Sequence, residues 1–148
     1  MNNKPILIVA GEPNSIFFEI FFKTLKSNKF KNPLILIASK TLLNLQMKKL
    51  GFNIKVRQIN YKELDNLKLN NISINLINIK YKTNKAFDKI SIKSKQYIKA
   101  SFKIAFKIIN TGITNKFING PISKKNFLNK KFLGITEYIS DEFSVKNN

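Results

Sequence analysis

The chain has no cysteine and no histidine in 148 residues. Without cysteine there are no disulfides, no thiolate zinc sites and no thiol nucleophile, a usage that fits a cytoplasmic protein. Without histidine the commonest general base is missing, and a transition-metal site would rest on eight carboxylates, a poor donor set for zinc. Glycine is scarce, five residues in all, which leaves little material for loops that cradle phosphate. No Gly-rich phosphate motif, Ser/His/Asp set or pair of carboxylates at catalytic spacing is present. Long hydrophobic runs are also lacking. The first apolar run, Ile6 to Ala10, falls far short of the ~20 residues of a spanning helix, so no membrane partner is expected.

Acidic residues are few against the basic ones, and the formal net charge is +19. That charge comes from 26 lysines and one arginine, Arg57, spread from Lys4 to Lys146. A polyanion partner is one explanation, because such charge attracts nucleic acid regardless of sequence. Composition supplies a simpler one. The chain also holds 23 isoleucines and 21 asparagines, and Lys, Asn and Ile share A/T-rich codons. Arginine, the residue favoured for bidentate phosphate and base contacts, is nearly absent. Nucleic-acid binding is therefore not the expected function. With 43% apolar residues the chain is long and hydrophobic enough for one folded α/β region over residues 1–148.

Continuous apolar runs at Ile6–Ala10 and Leu34–Ala38 read as strands buried on both faces, as in a parallel sheet. Asn14 or Ser15 can cap a helix running to about Leu25, with Glu19 in its first turns. Ser39 caps a helix through Leu50, with Gly51 just beyond its end. Ile54–Ile59 reads as a third strand. The segment Ile72–Ile79 reads as a fourth, half exposed, because Asn75 and Asn78 break its alternation. Residues 91–110 form a helix whose buried face holds Tyr97, Ile98, Ser101, Phe102, Ala105, Ile108 and Ile109, and Gly112 ends it. On the same helix Lys95, Lys99, Lys103 and Lys107 recur every four residues, the pattern of a solvated face. This alternation of strands and helices predicts a three-layer α/β fold with a mostly parallel sheet.

Residues 117–143 carry the most local information. A strand at Phe117 and Ile118 ends at Asn119-Gly120-Pro121, where Pro121 has no N–H to donate. Ser123 caps a short helix through Phe127 and Leu128, and Thr136 with Glu137 opens another. Two helix N-termini facing one place would offer N–H groups to an anion.

Three motifs give the chain a family resemblance: Gly11-Glu12-Pro13-Asn14-Ser15-Ile16-Phe17-Phe18-Glu19, Asn119-Gly120-Pro121-Ile122-Ser123-Lys124, and Gly134-Ile135-Thr136-Glu137-Tyr138. It resembles the 4-hydroxythreonine-4-phosphate dehydrogenases of pyridoxal phosphate (vitamin B6) biosynthesis, which have an isocitrate/isopropylmalate-dehydrogenase-like fold. Those enzymes carry G-(E/D)-P-A-G-I-G-P-E, T-G-P-(I/V)-x-K and G-H-T-E in the same order. The resemblance implies a dimeric oxidoreductase that uses NAD or NADP and a divalent metal to oxidise a phosphorylated hydroxy-amino acid, 4-phosphooxy-L-threonine. It implies substrate-binding roles for Thr136 and Lys124, and matches Glu12 and Glu19 to acidic residues of the first motif, where turn and helix-cap chemistry is their plainer role. The family's substrate histidine falls at Ile135, which can neither donate nor accept a hydrogen bond. Asn119 stands where the family has Thr, and Phe17-Phe18 where it has Gly-Pro.

The family's histidine metal ligands and most of its cofactor residues lie beyond the matched part. The last residues, 143–148, contain no stop signal, and the helix there is expected to run on, so the chain reads as the N-terminal half of the family and as inactive alone. The alternative is a small basic α/β protein that binds polyanions without catalysis, supported by the stripe from Lys95 to Lys107.

Overall fold

The computed structural model describes residues 3–144. Five strands form one parallel sheet: β1 (Ile6–Val9), β2 (Leu34–Ala38), β3 (Val56–Gln58), β4 (Ile74–Asn78) and β5 (Lys116–Asn119). Their spatial order is β3-β4-β2-β1-β5, and every pairing is parallel. In register, Val9 of β1 lies between Ile37 of β2 and Asn119 of β5.

Helices cover both faces, which gives the expected three layers. On one face α1 (Phe17–Ser27) and α2 (Lys40–Lys49) bury Phe18, Phe22, Leu42, Leu43 and Met47 against Ile8, Leu36 and Leu76. On the other, α3 (Lys95–Asn110) and α4 (Ile135–Ser144) close over Leu7, Val9, Ile35 and Ile37. The alternation of the strands sends Ile8 and Leu36 one way and Leu7 and Ile35 the other, so both faces of β1 and β2 are apolar.

The buried face of α3 is the one its periodicity predicts, with Phe106 added and Ile109 only half-buried. Phe102 is the centre of an aromatic cluster, with ring centroids 6.0 Å from Phe127 and 5.6 Å from Tyr138. Lys99, Lys103 and Lys107 are exposed on the opposite side, and Lys95 is half-buried. Ser39 caps α2 by accepting from the Leu42 N–H, and Gly51 follows it at φ +73°.

Three expectations need correction. The strand β4 is not half exposed: Ile74 to Ile77 are all buried, because β4 is inserted between β3 and β2 with both edges paired. Asn75, which interrupts its pattern, is buried and donates to the carbonyls of Leu34 and Asn70 at 2.9 and 2.7 Å. The third strand is shorter than Ile54–Ile59: it covers Val56–Gln58 at the sheet edge, with single bonds to β4 from the flanking Lys55 carbonyl and Ile59 N–H. The helix α1 begins at Phe17, and Ser15 accepts from the Phe17 N–H without standing at the cap position itself. A short 3-10 turn at Tyr61–Asn66, capped by Asn60 and anchored by buried Leu64, had no clear signal in the sequence. The expected continuation of the last helix through residues 145–148 lies outside the described residues.

Candidate functional site

The chain leaves β1 for α1 on one face of the sheet and leaves β5 for α4 on the other. The carboxyl ends of β1 and β5 therefore flank a topological switch point, where open α/β sheets place ligands. Two of the three motifs meet there. The Gly120 N–H donates to the Val9 carbonyl at 2.7 Å, and the Glu12 N–H donates to the Pro121 carbonyl at 2.7 Å. These bonds continue the β1–β5 pairing past the strand ends.

Both turns require glycine. Gly11 sits at φ +78°, and a Cβ there would stand 2.5 Å from the Pro121 oxygen. A Cβ on Gly120 would stand 2.0 Å from the Ala10 oxygen. Next to this junction Glu12 is only 3% exposed. Its Oε2 accepts from the Ser94 hydroxyl at 3.1 Å, while Oε1 has no partner among the described residues. Burial pushes the Glu12 carboxyl above its ordinary value, and the Ser94 bond opposes that rise. Ser94 lies just before α3, 82 residues away in sequence, and nothing local marks it as a partner.

The third motif lies across a hollow of about 400 Å³ beside β5. Asn119, Gly120, Pro121, Lys124, Leu128 and Ile135 line it. Lys124 begins a short helical turn, Lys124–Leu128, that Ser123 caps by accepting from the Asn126 N–H at 3.3 Å. Ile135 is the first residue of α4. The structure thus brings Lys124 and Ile135 to one hollow. Thr136 is exposed in the first turn of α4 and does not line it. Glu19 lies apart, half-buried on α1 in an ion pair with Lys23 at 2.6 Å.

The expected pair of free helix N-termini is altered by Glu137. Its Oε2 accepts from the Leu133 and Gly134 N–H groups, at 2.5 and 3.0 Å. Glu137, and not Thr136, caps α4, so the chain's own carboxylate takes N–H groups that an anion would otherwise use. The cation facing the hollow is Lys124, exposed and without an ion pair among the described residues.

A metal does not fit these residues. The sequence has no histidine or cysteine, and no three carboxylates come together among the described residues. No described helix is long and apolar enough to cross a membrane.

No protein-family model and no curated protein matches the chain. Solved structures do. A 4-hydroxythreonine-4-phosphate dehydrogenase from Burkholderia phymatum superposes with a TM-score of 0.72 at 16% identity, covering 84% of this chain and 38% of its own. A Salmonella typhimurium protein described as a putative 4-hydroxythreonine-4-phosphate dehydrogenase matches with a TM-score of 0.72 at 20% identity, over 84% of this chain and 39% of its own. The Klebsiella pneumoniae enzyme gives 0.72 at 16%, with the same two coverages. The chain spans less than two-fifths of the length of these structures. Over that part it has the fold of the 4-hydroxythreonine-4-phosphate dehydrogenases.

Proposed function

We propose that the chain supplies the N-terminal, substrate-facing part of a 4-hydroxythreonine-4-phosphate dehydrogenase, an NAD(P)-dependent oxidoreductase acting on 4-phosphooxy-L-threonine. The supporting observation is that two motifs, at Asn119–Lys124 and at Ile135, line one hollow at a sheet end, and the first motif is bonded to its wall through the Glu12 N–H and the Pro121 carbonyl, within a fold shared with those enzymes. In this reading the hollow receives the phosphorylated end of the substrate. Lys124 is the cation that attracts it. Thr136, outside the lining in the first turn of α4, would meet only a part of the substrate that extends beyond the hollow. Ile135, at the position of the family's histidine, leaves one substrate contact unmade.

The chain alone does not carry the reaction. Hydride transfer needs the cofactor, and in the family a metal polarises the reacting hydroxyl. Neither finds a set of ligands among the groups lining the hollow. By the family resemblance, most of the cofactor residues belong to the part of the fold that this chain does not span.

The assay is direct. Purified chain is mixed with 4-phosphooxy-L-threonine, NAD or NADP and a divalent metal, and reduced cofactor is followed by absorbance. No turnover is expected. In parallel, the substrate titrated into labelled protein should shift the amide signals of Gly120 and Gly134. Turnover would overturn the inactive reading, and unmoved amides would overturn the substrate assignment.

A further inference from the structure

A second pocket lies at the same end of the sheet, on the far side of Glu12. It follows β4 and has a volume of about 590 Å³, the size of a small-molecule site. Lys80, Lys82, Lys89 and Lys93 line it together with Tyr81 and Asn14. Asp88 is the single carboxylate in the lining, which leaves a net charge of +3 there. Asp88 is already engaged: it accepts from the Lys89 N–H at 2.8 Å and faces Lys85 at 3.7 Å.

The pocket is pinned by buried groups. Gln46, fully buried on α2, donates to the carbonyls of Pro13 and Ala86 at 2.9 and 2.8 Å. It thereby fastens the loop after β4 to the turn after β1. Asn14 holds the same loop by accepting from the Asp88 N–H at 3.0 Å. On the inner wall, Tyr97 is buried, and its hydroxyl accepts from the Ser39 N–H at 3.1 Å. The half-buried Tyr81 ring packs on it, with centroids 5.1 Å apart. Four lysines therefore surround a concavity whose walls are fixed before any ligand arrives.

We propose that this pocket binds a small molecule carrying a diphosphate group. One phosphate monoester carries at most about −2 and would leave the lining positive, whereas two linked phosphates match it better. A polynucleotide would instead follow an open stripe such as the lysine face of α3. The proposal rests on the lining of this pocket and is independent of the dehydrogenase reading.

The test is calorimetric titration of pyrophosphate, ADP and AMP into the whole chain at about 150 mM salt, where diffuse surface attraction is screened. Pyrophosphate and ADP should each bind saturably at one site, and AMP about tenfold more weakly than ADP. ADP binding more tightly than pyrophosphate would mark a nucleotide as the natural source. Equal affinities would mark the diphosphate itself.

Two variants of equal charge change separate the pocket from the net charge. Lys82→Gln/Lys89→Gln/Lys93→Gln should weaken pyrophosphate about tenfold or more. Lys99→Gln/Lys103→Gln/Lys107→Gln, on the solvent face of α3, should change it by less than about twofold. All six lysines are exposed, so both variants should fold, as circular dichroism would verify. Equal weakening by the two, AMP binding as tightly as ADP, or no saturable binding at all would overturn the proposal.

Discussion

Gly120 and Ala10 are packed backbone against backbone: a β-carbon on Gly120 would lie 2.0 Å from the Ala10 carbonyl oxygen and 2.7 Å from its carbon. That approach brings the turn after β5 against the turn after β1. The hollow and the buried Glu12 are built on either side of it.

Gly120→Ala should therefore destabilise the fold strongly. The two nearest obstructing atoms are main-chain atoms of Ala10, just past β1, which cannot swing aside as the third, a Phe17 ring carbon at 2.8 Å, could. A loss of about 3 kcal/mol or more is expected, at the upper end of overpacking effects. Gly134→Ala, where nothing lies within 4 Å, should stay within about 0.5 kcal/mol of the parent. Urea midpoints of the two variants make the comparison.

Glu12 predicts the sign of a pH effect. Burial raises its folded-state value above the ordinary 4.5, so in the window just above 4.5 the native state binds more protons than the unfolded chain. Its contribution to stability is then most favourable below 4.5 and declines as pH rises towards the raised value. Glu12→Gln should remove this dependence. The difference in urea stability between variant and parent should grow in the variant's favour from pH 4.5 upward. A difference that is flat with pH would contradict the assignment.

The bond from Ser94 should matter because it is the one side-chain partner of that carboxylate among the described residues. Ser94→Ala should cost roughly 1–3 kcal/mol at neutral pH. In the Glu12→Gln background the same change should cost less, since a neutral amide tolerates the loss of a donor better than a buried charge does. A double-mutant cycle in urea reads that coupling.

These contacts show how far the sequence could be read. The strands β1 and β2 were legible because each is apolar on both faces, and α2 and α3 because caps and periodicity agree. The strand β4 was misread as half exposed because Asn75 and Asn78 look like solvent-facing residues. Their partners, Leu34 and Lys40, lie 41 and 38 residues away. A polar residue satisfied at that distance looks the same in sequence as one satisfied by water. For the site, the glycine turns and Lys124 were visible as local motifs. Ser94 and Gln46 were not, because their roles exist only once the sheet has assembled.

Glu137 should act as a cap on α4 through its bonds to the Leu133 and Gly134 N–H groups. Glu137→Ala should cost about 1 kcal/mol, whereas Thr136→Ala should cost much less. Thermal melts of the two variants distinguish the residues. Equal losses would return the cap to Thr136.

The central claim is that the hollow beside β5 holds the phosphorylated substrate through Lys124, and the dissociation constant of 4-phosphooxy-L-threonine tests it most directly. The account predicts saturable binding to the parent chain, weakened about tenfold in Lys124→Gln and little changed in Lys125→Gln, whose side chain does not line the hollow. Ile135→His should tighten binding by about the same factor. Absence of saturable binding, or equal effects of the two lysine variants, would contradict it.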